Sequence, residues 1–298
     1  MVGFLYKKVK KRYYLHIAGV AVLLFFMCVE SGSSLLVAPM AWFDNTEDTF
    51  VDNVLLDLSR LSDETVSSKV FFLDIPILTY HQVRPITDKD DENFRRFITS
   101  PEEFERQLRY LKENGYTVIS LSDVINHLAS SSPLRGKYVV LTFDDGYQSQ
   151  YQYAFPLLRE YGDTATFFIY TNAIDNLKRA MTWEEVINLD KEGMSIGAHT
   201  KSHTMLTKIS DEKQLEEEIQ GSRDDIEAHI HRPVELFAYP YGQHNDAIVE
   251  NVKKDGFLGA VSVIAGRLQT YDERFSLKRY NVNDGDREFL WIFEKKQH

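Results

Sequence analysis

The regular alternation of strand-like and helix-like segments, from Val70 to the C-terminus, most strongly constrains the fold of this chain. About eight β-branched or aromatic runs are mostly separated by segments whose apolar residues have helical spacing. Strands that alternate with helices pair in parallel, and the natural closure of eight such units is a (β/α) barrel. The predicted strands cover residues 77–80, 117–121, 138–143, 164–170, 194–197, 235–239, 257–263 and 276–282.

The helical segments carry start and stop signals of their own. Ser100-Pro101-Glu102-Glu103 combines a capping serine, a proline at the first helical position and a glutamate that reaches back to the cap. Gly115 ends the same helix, because glycine readily adopts the left-handed conformation there. We predict helices over residues 100–115, 151–161, 182–192, 211–229 and 246–254, and shorter or less bounded ones beginning at residues 122 and 286.

The first 69 residues predict export and tethering. Residues 1–12 contain five cations, and residues 13–29 are apolar apart from His16. A basic stretch before an apolar one is typical of a signal peptide or signal anchor. The apolar stretch is shorter than the about 20 residues that a membrane-spanning helix needs. Residues 30–69 read as a stem, in part amphipathic. We expect the domain, residues 70–298, to be secreted or held at the extracellular face of the membrane, with residues 1–12 remaining cytoplasmic if the segment is uncleaved.

Composition narrows the class of partner. The only cysteine, Cys28, lies in the apolar segment, so an exported domain would have no disulfide of its own and would depend on its core for stability.

The formal net charge is −11, and loss of the five cations of residues 1–12 leaves −16. This charge argues against nucleic acid as a partner, because its phosphates are bound by basic surfaces. A neutral or cationic polymer is compatible with this charge.

Chemically active side chains gather where the predicted strands end. Asp144 and Asp145 follow the strand over residues 138–143, and His81 follows the strand over residues 77–80. In a (β/α) barrel the C-terminal ends of the strands carry the chemistry. Successive residues at a strand end point in different directions, so one aspartate can bind a metal while its neighbour faces substrate or water. An Asp-Gly turn would be the ordinary alternative.

Two histidines and one carboxylate predict a metal site. His199 and His203 are four residues apart, which places both imidazoles on one face of a helical turn. With Asp145 as a third ligand, this set leaves positions open for water, as catalytic zinc sites do. Two histidines at this spacing are weak evidence alone, and Thr200 stands where a zincin would carry its glutamate. We expect a divalent metal, with zinc preferred.

Three segments in order resemble the polysaccharide deacetylases, that is, the NodB-homology domain of carbohydrate esterase family 4. They are Thr142-Phe143-Asp144-Asp145, His199-Thr200-x-x-His203 and Tyr239-Pro240-Tyr241-Gly242. The resemblance covers residue 137 to the C-terminus and implies a distorted (β/α) barrel. It implies Asp144 as general base, Asp145, His199 and His203 as metal ligands, and the backbone N–H of Tyr241 as an oxyanion donor.

The chain departs from the family pattern at two places. Ala238 stands where the family often has an arginine that orients the base, so the partner of Asp144 is left open. The late catalytic histidine is also missing. The segment Pro76-Ile77-Leu78-Thr79-Tyr80-His81 is similar to one in the poly-β-1,6-N-acetylglucosamine deacetylases of biofilm synthesis, which implies that His81 takes the acid role. The alternative for His81 is a hydrogen-bonded residue that caps its strand.

The sequence and the resemblance leave three candidate functions open. The first is N-deacetylation of an N-acetylglucosamine polymer, preferably β-1,6-linked, with a polysaccharide synthase complex as a candidate partner. The second is deacetylation of β-1,4-linked peptidoglycan or chitin, and the third is metal-dependent carbohydrate binding without turnover. Trp183 and Tyr80 are candidate walls of the sugar site, and core packing is the equal alternative for each.

Overall fold

The computed structural model describes residues 70–294, apart from the side chains of residues 286–288 and 294. The basic segment at 1–12, the apolar segment at 13–29 and the stem at 30–69 all lie outside the described residues. Between residues 70 and 294, no helix is both long enough and apolar enough to cross a membrane. The predictions of export and tethering therefore stay predictions.

Strands account for most of the central scaffold. Residues 137–143 form the longest strand, whose last five residues are all buried. The strands of the described part are β1 (Phe72–Asp74), β2 (Ile77–Tyr80), β3 (Gln82–Val83), β4 (Ile98–Thr99), β5 (Tyr116–Val118), β6 (Lys137–Phe143), β7 (Thr166–Ile169), β8 (Ser195–Ala198), β9 (Leu236–Ala238), β10 (Gly259–Val261), β11 (Leu268–Thr270) and β12 (Tyr280–Asn281).

Helices connect most of these strands and begin at the caps that the sequence indicates. The Ser100 hydroxyl accepts a hydrogen bond from the Glu103 amide, and Thr182 forms a reciprocal capping box with Glu185. The α-helices of the described part are α1 (Glu92–Arg95), α2 (Pro101–Glu113), α3 (Leu121–Ala129), α4 (Phe155–Tyr161), α5 (Trp183–Lys191), α6 (Glu212–Ile230), α7 (Asp246–Lys254) and α8 (Asp286–Glu294). A π-helical turn, Gln150–Ala154, runs into α4.

The main sheet is parallel and has the order β10-β9-β8-β7-β6-β2-β12, with β5 paired to β6. Its two outer strands approach each other through a parallel bridge between Val261 and Leu277. The Leu277 amide donates to the Ala260 carbonyl, and the Ser262 amide donates to the Leu277 carbonyl. This contact brings the chain just before β12 beside β10, and the sheet curves into a distorted (β/α) barrel. The predicted fold class is confirmed.

Two small pairings were absent from the sequence-based prediction. Strand β1 pairs antiparallel with β11, and β3 pairs parallel with β4. Each of these strands has only two or three residues, too few for the alternation of apolar and polar residues that predicts a strand. Strand β3 matters for the site, because it draws the chain away from β6 directly after His81.

Candidate functional site

The ends of strands β2, β6, β8 and β9 place the sequence-predicted residues at one edge of the barrel. His81 follows β2, the two aspartates follow β6, and His199 follows β8. Because these strands are parallel neighbours, their C-terminal ends meet at the same edge. Residues more than 100 positions apart in the sequence are thereby brought together.

Asp145, His199 and His203 form a compact set of three ligand groups. Their potential ligand atoms all lie within 4.8 Å of one another. The Nε2 atoms of His199 and His203 lie 3.5 Å and 3.1 Å from Asp145 Oδ1. Ligands bonded at about 2.0–2.1 Å in a tetrahedral zinc site lie about 3.3 Å apart. The spacing of these three atoms therefore fits one divalent ion of that size.

The surroundings of His199 prepare its Nε2 atom for a metal. His199 Nδ1 lies 2.7 Å from the Ala238 carbonyl oxygen at the end of β9. A carbonyl can only accept, so Nδ1 carries a proton and Nε2 is the ring atom left for a metal. Burial lowers the pKa of His199, but the bond to Asp145 and the charge of Asp144 outweigh this and the pKa is raised. Ala238 stands at the position where the family pattern has an arginine, and it contributes to the site through its backbone carbonyl.

Backbone strain is concentrated at this edge of the barrel. Of the seven non-glycine residues with positive φ in the described part, four belong to the site: Asp145, Thr200, His203 and Tyr241. A left-handed conformation costs a side-chain-bearing residue about 1–2 kcal/mol, and such residues cluster at functional sites. The φ angles of 76° at Asp145 and 57° at His203 place two of the three candidate ligands in this region.

Asp144 is held by a buried arginine that sequence reasoning missed. Arg279 donates from Nη1 to Asp144 Oδ1 at 2.8 Å and from Nη2 to Asp144 Oδ2 at 2.7 Å. Its Nη1 also donates to Thr142 Oγ1 and its Nε to the Ser262 carbonyl. Burial raises the pKa of Asp144, but Arg279 overcomes this effect and holds the pKa below its ordinary value. The orienting partner that position 238 lacks is therefore supplied from the last strand region.

A signal for Arg279 was present in the sequence. Arg279 is two residues from Leu277, so both side chains point to the same face of an extended segment. Leu277 is buried, and Arg279 is only 1% exposed. A lone arginine on the buried face of a strand needs a charged partner, because an unpaired buried charge is very costly.

His81 lies within electrostatic range of the same cluster. Burial lowers the pKa of His81, and the charges of Asp144 and Asp145 oppose this only partly. Its ring contacts Phe97 edge-on, with centroids 5.0 Å apart. His81 Nδ1 is buried and has no hydrogen-bond partner among the described residues. The alternative of a strand cap held by a side-chain hydrogen bond is therefore not supported at Nδ1.

Gln150 joins the backbones of the two proposed proton-transfer residues. Its Nε2 donates to the His81 carbonyl at 2.7 Å and to the Asp144 carbonyl at 2.5 Å. The last backbone bond between β2 and β6 runs from the Asp144 amide to the Tyr80 carbonyl, after which the strands diverge. The side chain of the fully buried Gln150 thus takes the place of the next backbone hydrogen bond between these two strands. It begins the π-helical turn, a feature that often occurs at functional sites.

The predicted substrate walls differ in their positions. Tyr241 is 56% exposed, and its ring lies edge-on to His203, with centroids 4.9 Å apart. Trp183 is partly exposed and stacks on His229 at 3.7 Å between centroids. Tyr80 is fully buried, packs on Phe104 and Phe143, and donates its hydroxyl proton to Gln107 Oε1. The prediction of Tyr80 as a sugar contact is wrong, because its ring has no accessible surface.

Comparisons with known proteins agree with this architecture. Residues 131–260 match the family model described as polysaccharide deacetylase. The candidate polysaccharide deacetylase YxkH of Bacillus subtilis is 28% identical over 211 residues, covering 71% of this chain and 72% of that protein. A poly-beta-1,6-N-acetyl-D-glucosamine N-deacetylase of Staphylococcus epidermidis is 26% identical over 200 residues, covering 60% and 68%.

A solved structure extends the likeness to three dimensions. The Streptococcus pyogenes deacetylase PplD, in complex with acetate, superimposes with a TM-score of 0.68 and 25% identity. The superposition covers 74% of this chain and 98% of that one. The barrel, the three motifs at one edge of it and these matches agree, and the chain contains a polysaccharide deacetylase domain.

Proposed function

We propose that the protein hydrolyses the N-acetyl groups of an N-acetylglucosamine polymer, poly-β-1,6-N-acetylglucosamine before others, and releases acetate. The observation that carries the proposal is that two adjacent carboxylates face different partners. Asp145 faces the two histidines, whereas both oxygens of Asp144 face Arg279. A protein that only bound a metal and a sugar would have no use for the second, separately held carboxylate.

Amide hydrolysis needs a better electrophile, a stronger nucleophile and a protonated leaving group. Asp145, His199 and His203 would hold a divalent ion, preferably zinc, which when bound polarises a carbonyl oxygen and acidifies water. The exposed turn at Tyr241 offers its backbone N–H to the oxyanion that develops as water adds to the amide carbon.

Asp144 supplies the general base. Each carboxylate oxygen keeps a further acceptor site beyond its bond to Arg279, so Asp144 can accept the proton of the attacking water. The low pKa that Arg279 imposes keeps Asp144 ionised at neutral pH. An anionic base beside the metal ligands is the state that proton abstraction requires.

His81 supplies the proton for the departing amine. As the carbon–nitrogen bond breaks, the nitrogen must gain a proton, and the new carbon–oxygen bond leaves acetate. His81 lies on the strand next to the one that carries Asp144, and its charge interacts with both aspartates. The preference for a β-1,6-linked substrate rests on this early histidine and on the Staphylococcus epidermidis relative.

The decisive experiment incubates the full-length protein with β-1,6-linked and β-1,4-linked N-acetylglucosamine oligomers, with and without a chelator, and measures free amines and acetate. We expect faster release from the β-1,6 oligomers and loss of release with chelator. Asp144→Asn should keep the metal and lose about 10²–10⁴-fold in rate. Release from β-1,4 oligomers alone would favour peptidoglycan or chitin as substrate. Release from neither would favour carbohydrate binding without turnover.

We further propose that residues 13–29 export the domain and that it acts at the extracellular face of the membrane or after secretion. The supporting pattern is the basic segment followed by an apolar one. A polysaccharide synthase complex is a candidate partner, since a deacetylase must meet the polymer as it emerges. Protease added to intact cells should cleave a tethered domain, unless the domain is already released into the medium. A domain found in neither place would overturn this assignment.

A further inference from the structure

The loop that carries His203 differs from the strand end that carries His199. His199 is fixed by its position after β8, by its amide bond to the Ile169 carbonyl and by its ring bond to the Ala238 carbonyl. His203 lies four residues further on, in a loop where Thr200 has φ of 66° and His203 has φ of 57°. Two strained residues make this loop prone to relax unless other groups hold it.

Local hydrogen bonds hold part of this loop. The Thr200 hydroxyl accepts a bond from the His203 amide at 2.9 Å. The carbonyls of Thr200 and Lys201 accept bonds from the amides of Thr171 and Asn172. These contacts leave the two N–H groups at the centre of the loop, those of Lys201 and Ser202, in need of an acceptor.

Glu218 on helix α6 is that acceptor. Its Oε2 accepts from the Lys201 amide at 3.0 Å and from the Ser202 amide at 2.9 Å, and its Oε1 accepts from the Ser202 hydroxyl at 2.5 Å. Glu218 is 8% exposed. Successive backbone N–H groups around a left-handed residue form a concave anion site, and here a buried carboxylate of the same chain fills it.

We propose that Glu218 is a positioning residue that preforms the metal site by fixing His203 beside Asp145. Without its carboxylate, the Lys201 and Ser202 amides lose their acceptor and the loop can relax from its two left-handed residues. His203 Nε2 then leaves its position 3.1 Å from Asp145 Oδ1, while His199 stays in place. Residues that orient metal ligands change affinity about 10–100-fold when they are substituted.

The adjacent residue offers a matched control. Glu217 is on the same helix, is also a glutamate and also contacts Lys201, but only through the side-chain Nζ at 2.8 Å. Its side chain is 66% exposed. Glu217→Leu therefore removes a charged acceptor near the same loop and leaves the loop amides bonded to Glu218.

The test compares Glu218→Leu with Glu217→Leu in the full-length protein by competition for zinc with a chromophoric chelator, without any substrate. Leucine is used because a glutamine oxygen could still accept from both loop amides. We expect a zinc Kd about 10–100-fold higher for Glu218→Leu and within twofold of wild type for Glu217→Leu. Cobalt-loaded Glu218→Leu should also lose visible absorption intensity, which reports the ligand geometry. If Glu218→Leu does not fold, Ser202→Ala removes one of the three contacts and should raise the Kd several-fold.

The proposal rests on the metal site of the proposed function, and the two fail in different ways. Equal zinc Kd and cobalt spectra for folded Glu218→Leu and wild type would overturn the role of Glu218 alone. An equal loss in Glu217→Leu would overturn it as well, since loss of charge near the loop would then explain the effect. Wild-type protein that binds neither ion would overturn the metal assignment and the role of Glu218 together.

Discussion

Replacing Arg279 by alanine should destabilise the protein and weaken Asp144 as the proposed general base. Arg279 makes four hydrogen bonds, two of them to Asp144, and the two side chains are 1% and 4% exposed. Removing one partner of a buried ion pair leaves an uncompensated charge and costs about 3–5 kcal/mol. For a domain of this size, 1 kcal/mol shifts Tm by about 2–4 °C, so we expect Tm to fall by about 6–20 °C.

The loss should depend on pH in a defined direction. The folded-state pKa of Asp144 lies below its ordinary value, so the pair contributes stability above that value and loses it as the pH falls. The difference in unfolding free energy between wild type and Arg279→Ala should therefore be large at pH 7 and shrink towards pH 3. With the cation gone, burial raises the pKa of Asp144, and the acid limb of the kcat/KM profile should move to higher pH.

The assay is urea unfolding from pH 3 to pH 8, combined with kcat/KM over the same range. Arg279→Lys keeps the charge but cannot form the two-pronged contact, so its effects should be intermediate. Arg267 provides a control, because its partner Asp74 is half-exposed at the other end of the barrel. Arg267→Ala should cost about 1 kcal/mol or less through this pair. The reasoning is refuted if Arg279→Ala loses less than about 1 kcal/mol and keeps the wild-type pH profile.

Three further substitutions test separate parts of the structure. His81→Ala should keep zinc and fold but lose most deacetylation and the alkaline limb of the pH–rate profile, whereas His244→Ala should have little effect; the opposite result would contradict His81 as the acid. Gln150→Leu should lower kcat more than zinc affinity, whereas Gln269→Leu, which alters another buried glutamine bonded to backbone carbonyls, should lower only Tm; equal kcat losses would contradict positioning. Burial raises the pKa of Asp163 to about 6, so Asp163→Asn should stabilise the protein at pH 7 by about 1 kcal/mol after allowance for solvent screening, with the gain fading towards pH 4, as urea unfolding can show.

The candidate metal site could be predicted from the sequence because its information is local. His199 and His203 are four residues apart, although a loop with two left-handed residues, and not the expected helical turn, brings them together. Asp145 directly follows a long buried strand. Parallel strands carry such residues to one edge of the barrel whatever the details of packing. Strand–helix alternation likewise predicted the fold, and the observed strands differ from the predicted ones mainly by shorter ends.

The partners of Asp144 and the fate of Tyr80 depended on non-local packing. Arg279 lies 135 positions from Asp144, and it reaches the carboxylate only because the last strand region returns beside β2 and β10. Tyr80 could be either a site wall or a core residue from its position at a strand end. Its contact with Gln107 on α2 decides for the core, and no sequence pattern encodes that contact.

Arg279 comes late in the sequence, which bears on the order in which the residues of the site become available during synthesis. The segment that carries it leaves the ribosome 135 residues after Asp144, when both histidine ligands have already been made. A chain still being synthesised or translocated can assemble its metal ligands while Asp144 has no cation beside it. Burying an unpaired ionised carboxylate is costly, so we expect Asp144 to take its buried, ionised position only when the segment before β12 docks. If Asp144 is the general base, deacetylation should then begin only after the barrel has closed.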